Sequence, residues 1–482
     1  MKKSFLSHIF LSLSVCLLAL ASCQVREARG VVDGEPDIFP DYVGVTLPVN
    51  IAPINFMVRD ATAIRADFAC EGQLLEVVAN SGEVVDIPAG KWRKMLQQTV
   101  GKTLDITVSV WDDRYPDGVK YNPFSVYISA DSIDAYVAYR LIEPGYESWQ
   151  DMGIYQRELS TFDETPIVTN RQNNGGCLNC HSFQQYNPDR MLFHARGAGG
   201  GTVFWKDGDL RKVDMSATNL KMKGVYPMWH KDGRYVVFSS NKTSQSFYSA
   251  GRTPIEVYDM SSDIFVYDTE TGREIADPRF TEETHLETFP AFSPDGRHLY
   301  LCRADSVDFN NNFANLRYSI VRADFHAEDG SLGEKIDTVF DAVATRKSAS
   351  FPRLSPDGRY LLFTQSDFAT FPIWHREADL KMIDLQTGEE MDTTPLNSNE
   401  TESYHSWSSN GRWVVFSSRR VDSRYTRLFF AHVRADGSFG KPFLLPQRNP
   451  MENNYRLKSY NIPEYIKSKA TLPKGRVTDL FR

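Results

Sequence analysis

From Val45 to Ser129 the chain is a succession of short runs in which apolar and polar residues alternate: INFMVRD, AIRADFAC, LLEVVAN, LDITVSVW and FSVYISA. A two-residue period turns one face of a strand to a core and the other to water. Gly, Asn and Asp separate the runs, as turns require. One piece, KWRKMLQQTV (Lys91 to Val100), breaks the period and reads as a short helix. These runs predict a small β-sandwich over residues 41–130, immunoglobulin-like or fibronectin-like.

Further along, the pattern becomes a repeat. YPMWHKDGRYVVFSS (226–240), FPAFSPDGRHLYLCR (289–303), FPRLSPDGRYLLFTQ (351–365) and YHSWSSNGRWVVFSS (404–418) superpose. Each has an aromatic residue, a short strand, an Asp-Gly or Asn-Gly turn, an arginine and a second strand. Such dipeptides supply the positive φ that a tight hairpin needs. The shared glycines Gly233, Gly296, Gly358 and Gly411 are 63, 62 and 53 residues apart. That exceeds a minimal unit, so inserted loops are expected at 241–259 and 305–315. A second hairpin follows, as in DIFVYDTETGRE, DLKMIDLQTGEE and RLFFAHVRADGSFG. Four antiparallel strands per repeat read as a propeller blade.

FSPDGRHLYL and LSPDGRYLLF resemble the TolB-like repeat of periplasmic β-propellers, over roughly residues 180–445. The resemblance implies a propeller and leaves function open, because propellers host binding proteins, lyases and peptidases alike. CHSFQQYNPDRMLFHA (180–195) falls in the same register, with His181 over His405. GTVFWKDGDLRKVD (Gly201 to Asp214) then supplies its second hairpin. A further blade is expected from Ala135 to Leu159, closed by a strand near the C-terminus. The fold class is therefore all-β: an N-terminal Ig-like β-sandwich followed by a propeller of six blades, with five or seven as alternatives. The chain divides into a leader (1–22), a tether (23–40), the sandwich (41–130), the propeller (131–450) and a polar tail (451–482) that wraps on the propeller or frays.

The leader, MKKSFLSHIFLSLSVCLLALASC, has a basic start, an apolar centre and small residues at its end. That is the layout of an export signal, too short for a comfortable spanning helix. Leu20-Ala21-Ser22-Cys23 resembles the lipobox of bacterial lipoproteins, which implies that Cys23 is acylated and becomes the mature N-terminus. The expected location is the bacterial cell envelope, lipid-anchored on the periplasmic side or at the outer membrane, with the membrane as one partner.

Composition adds two restrictions. The 54 basic and 62 acidic residues leave a net charge of −8, so nucleic acid is not an expected partner. Of the six cysteines, Cys16 leaves with the leader and Cys23 is assigned to lipid. Cys70, Cys177, Cys180 and Cys302 are too few for a disulfide framework. Cys70 and Cys302 lie in strand-like runs and are expected to be buried, inert residues.

The remaining pair forms Cys177-Leu178-Asn179-Cys180-His181. C-x-x-C-H is the attachment signature of c-type haem: two thiols add to the two vinyl groups, and the histidine reaches the iron. Random placement of this chain's residues gives about 0.0015 such patterns. Cys177 and Cys180 are the candidate haem attachment points and His181 the candidate iron ligand. For the second axial position the candidates are His194, His405, Met191 and His230. A Cys177–Cys180 disulfide is the main alternative. Zinc would want further ligands at short spacing, and a thioredoxin-like motif would want a helix. RGAGGGTVF (Arg196 to Phe204) reads as a wide turn, since no helix follows to bind phosphate. Glu283, Glu287, Glu400 and Glu402, with His285 and His405, could form a polar pocket for a sugar or cation. No hydrolase elbow, metalloprotease motif or other catalytic cluster is present in the sequence. The expected work is electron transfer or redox-linked binding with an envelope protein, using haem c. The alternative is a non-enzymatic scaffold for protein or glycan partners.

Overall fold

The computed structural model describes residues 27–143, 151–197, 199–215, 224–249 and 253–482. The leader and Cys23 lie outside the described residues. Among those described, no helix is long and apolar enough to cross a membrane.

The fold is all-β, as the alternation predicts. The N-terminal part sets a seven-stranded mixed sheet against a three-stranded one. Ala63–Cys70 pairs with Gln73–Ala79 on one side and Thr103–Trp111 on the other. Short parallel strands, Gly30–Val31 and Thr46–Pro48, complete the large sheet. Phe56 of the small sheet meets Phe124 of the large one edge to face at 6.3 Å. The expected helix forms over Ala89–Gln98 and buries Trp92, Met95 and Leu96.

Six four-stranded antiparallel sheets follow, and they are the blades of a propeller. Blade 1 comprises Tyr136–Ile142, Gly153–Glu158 and Glu164–Thr169, with Ser459–Ile466 as its innermost strand. Blades 2 to 6 begin with Leu178–Phe183, Gly224–Trp229, His285–Phe292, Ser348–Leu354 and Glu402–Trp407. Each of these first strands pairs on one side only, as an innermost strand does. The stretch expected as a tail is thus partly structural: Ser459–Ile466 closes the ring by pairing with Tyr136–Ile142. Behind it, Gln156 exchanges two hydrogen bonds with Ala470, at 2.9 and 2.8 Å.

The SPDGR repeat has a local physical cause. Ser293 Oγ donates to Asp295 Oδ1, and the same carboxylate oxygen accepts from Arg297 N. Ser355 and Asp357 repeat this, as do Ser408 and Asn410. The glycine that follows has φ near +70° (Gly296 +72°, Gly358 +75°), which only glycine adopts cheaply. Arg234 and Arg359 then pair with Asp268 and Asp384 of the next hairpin at 2.8 Å.

One expectation is corrected. Residues 241–247 and 255–259 are not loop but an extension of the blade 3 hairpin, Tyr235–Phe247 against Ile255–Asp268. This arm reaches neighbouring blades, where Tyr318 donates to Asp259 at 3.1 Å and His375 Nε2 lies 3.0 Å from Glu256. Its polar sequence hides a ladder because a two-stranded arm leaves most side chains in water.

Candidate functional site on the propeller axis

Each innermost strand carries a bulge at the same height. The bulged residues are Cys180, Tyr226, Phe289, Phe351, Tyr404 and Ile462, all with φ between 36° and 56°. A non-glycine residue there costs of order 1–3 kcal/mol, so the recurrence in every blade marks an architectural constraint. Four aromatic members touch in sequence: Tyr226 to Phe289 at 4.6 Å, Phe289 to Phe351 at 4.3 Å, Phe351 to Tyr404 at 4.5 Å. Cys180 and Ile462 complete the ring. It constricts the axis.

The residue after each bulge is proline in four blades (Pro227, Pro290, Pro352, Pro463) and histidine in two, His181 and His405. Both histidines are buried, and burial pushes each down to about 3, so both are neutral. They differ in their bonds. His405 Nε2 lies 3.0 Å from the Leu362 carbonyl and donates to it. Neither ring nitrogen of His181 makes a hydrogen bond of normal geometry. Its polar neighbours are the Ile462 backbone and the Glu464 carboxylate, 4.0 Å from Nε2. A buried polar atom without a partner costs about 1–3 kcal/mol.

Cys177 and Cys180 are free thiols. Cys180 is 2% exposed, and burial raises its thiol above the usual range. Cys177 is half-buried, at the outer end of the strand. Beside the motif Arg140 donates to Asn179 Oδ1. Chemically, the donor set fits a c-type haem: two unbonded thiols and a neutral imidazole, the form that binds metal. The motif enters the strand with Leu178 opposite Ala195 and Asn179 opposite His194, and the bulge at Cys180 then breaks the ladder.

The other candidates are placed differently. His194 is on the second strand of blade 2, 3.3 Å from Thr202 Oγ1. Met191 is buried opposite Phe183. His230 is held by the Gly296 carbonyl at 3.0 Å and Asp232 at 2.8 Å. Among the described residues, no three of His, Cys, Asp and Glu gather to hold a metal ion. Three of the four carboxylates expected to form a polar pocket are interior ion-pair partners instead, and Glu283 is exposed. Glu287 meets Arg303 at 3.1 Å, Glu402 meets Arg420 at 2.9 Å and Glu400 meets Arg376 at 2.5 Å. His285 stands apart near Glu282 and Asp305. Cys70 and Cys302 are buried, as expected.

Sequence reasoning missed the cavity beside the ring, about 370 Å³, whose lining includes His181, Trp229, Arg353, His405, Trp407 and Glu464. Arg353 and Glu464 directly follow a proline in their strands. Ile462-Pro463 matches Tyr226-Pro227, Phe289-Pro290 and Phe351-Pro352, a signal in the sequence that would have found the closing strand.

No protein-family model and no curated protein matches the chain. Among solved structures it is similar to a Mycobacterium tuberculosis puromycin-hydrolyzing peptidase, with 11% identity, TM-score 0.37, 87% of this chain and 57% of that one. A putative dipeptidyl aminopeptidase IV from Bacteroides ovatus aligns with 12% identity and TM-score 0.29, over 66% of this chain and 60% of that one. Prolyl oligopeptidase B from Galerina marginata aligns with 11% identity and TM-score 0.33, over 68% and 41%. The chain spans about two fifths to three fifths of these proteins. Neither fold nor function is argued from them; the propeller rests on its own six sheets.

Proposed function

We propose that the chain is a lipoprotein of the bacterial cell envelope, anchored through acylated Cys23, whose propeller carries one haem c on Cys177 and Cys180 with His181 as iron ligand. Its work is electron transfer or redox-linked binding with an envelope protein. The observation that carries this reading is His181: buried, neutral and with neither ring nitrogen in a hydrogen bond of normal geometry, directly after two free thiols. Bound haem supplies one-electron chemistry. The chain's own residues do the rest. His181 holds a lone pair ready because burial keeps its ring unprotonated. The aromatic ring excludes water on one side of it. Arg140 places a cation beside the motif. Since Cys180 is buried and the strand is paired, thioether formation belongs before the strand closes onto its neighbour.

A second reading, a non-enzymatic binding propeller for a protein or glycan with a Cys177–Cys180 disulfide, is favoured by the axial cavity. Expression with a c-type haem maturation system separates the two. The first requires a covalent haem mass that is lost in Cys177→Ala/Cys180→Ala. Finding no haem and a Cys177–Cys180 disulfide in the exported protein leaves the second.

A further inference from the structure

The axial cavity contains an arginine that, among the described residues, has no ion-pair partner. In the wall, the residue two places after each bulge is Ser182, Met228, Ala291, Arg353, Ser406 or Glu464. Two of the six are ionisable. Arg353 makes one hydrogen bond within the protein, to its neighbour's carbonyl, Pro352 O, at 2.9 Å. Among the described residues it has no carboxylate within ion-pairing distance, while surface arginines such as Arg234 and Arg359 each have one at 2.8 Å. Glu464 is engaged elsewhere: its Oε1 accepts from Phe183 N at 2.9 Å. Its Oε2 lies 4.0 Å from His181 Nε2. The exposed Lys231 and Lys467 at the lip add positive charge. The remaining wall is largely apolar, with Met228, Trp229, Leu354 and Trp407 contributing. Trp229 and Trp407 come from opposite blades, and their indole N–H groups are spent on Ser182 O and Arg353 O. They offer faces, not donors.

An unpaired guanidinium in an apolar-walled cavity is a poor structural element and a good anion receptor. A partly desolvated cation costs stability, and a planar fork of N–H donors matches a carboxylate. The volume suits a small molecule and excludes a folded partner. We infer that the axial cavity binds a small monocarboxylate with an apolar body, the carboxylate held by Arg353 and the body lying among Met228, Trp229, Leu354 and Trp407. The site lies on the His181 side of the constriction, and Cys177 does not line it. The inference concerns the haem-free chain, since His181 lines the same cavity.

The test is calorimetric titration of the full mature chain with 3-phenylpropionate, beside 3-phenylpropylamine and 3-phenylpropanol as cationic and neutral counterparts of the same shape. The expected result is saturable one-to-one binding of the carboxylate alone. Arg353→Gln should weaken it about tenfold or more, while its melting temperature stays equal or rises, since a charge without a partner has been removed. Ser406→Phe, which fills the cavity and keeps the charge, should also abolish binding, so the proposal remains testable if one variant does not fold. Absence of saturable binding to the native chain would overturn it. So would equal binding of the amine, or unchanged affinity in folded Arg353→Gln.

Discussion

Blades 3 to 6 and blades 1 and 2 share one architecture and use it differently. In blades 3 to 6 the axial ring is aromatic, and the turn behind it is built from the Ser/His-x-Asp/Asn-Gly-Arg pattern. In blades 1 and 2 the ring residues are Ile462 and Cys180, and neither blade has the turn sequence. The regular side repeats one turn whose polar side chains are bonded. The irregular side holds the free thiols, the unpaired His181, Arg140 and Glu464. His181 and His405 show this at one position: the same place after the bulge, one bonded to a carbonyl at 3.0 Å and one without a hydrogen bond of normal geometry. A repeat that has to hold shape satisfies its polar atoms; departures from it are where a function can be carried.

The largest expected effect lies in the regular blades. A Cβ on Gly296 would stand 2.2 Å from His230 Nε2, and φ there is +72°. His230 is itself packed by Phe292 and Phe325, each at 5.1 Å, so it cannot yield. Gly296→Val should cost about 3–5 kcal/mol in denaturant unfolding. Gly358→Val, with Pro294 Cδ at 3.9 Å as its nearest neighbour, should cost only about 1–2 kcal/mol from φ alone. Equal losses would mean that blade-to-blade packing at the turns is not what holds the regular side.

The histidine pair gives the next contrast. His405→Leu removes a made hydrogen bond and should cost about 1–2 kcal/mol. His181→Leu in the haem-free chain removes unpaired polar atoms and should be neutral or stabilising. A loss at His181 equal to that at His405 would place both in the same structural role.

The smallest effect is in pH dependence. Both histidines have folded values near 3, against 6.5 for an unfolded chain. A lowered value means that the unfolded state binds the proton first. Their contribution is therefore full above pH 6.5 and is lost as pH falls toward 3. Glu464 and Glu287, raised to about 8 by burial, act the opposite way: they penalise folding as pH rises from 4.5 to 8. His405→Gln should flatten the acid limb of stability without moving the limb above pH 6.5; an unchanged acid limb would show that His405 is not kept neutral.

Much of the regular side was legible in the sequence. The Asp-Gly turns are local chemistry, and four copies fixed the blade pattern. The register of blade 2 was also legible, through His181 over His405. The closing strand was hard to read because Ser459–Ile466 has no hairpin of its own; its partners are more than 300 residues away in sequence. Arg353 was invisible for a different reason. Alternation gives a strand's faces, but only the closed ring decides that one face meets an axial cavity. At the motif, sequence supplied the donor types and their spacing, while the missing partner of His181 depends on how the blades meet.

The central claim, that the irregular side carries covalent haem, is tested most directly by the intact mass of the mature chain after export with a c-type maturation system. The account predicts one haem added to a chain that begins at acylated Cys23, a Soret band that survives denaturation, and loss of both haem signals in Cys177→Ala/Cys180→Ala. A chain without haem, two hydrogens lighter through a Cys177–Cys180 disulfide, would contradict it.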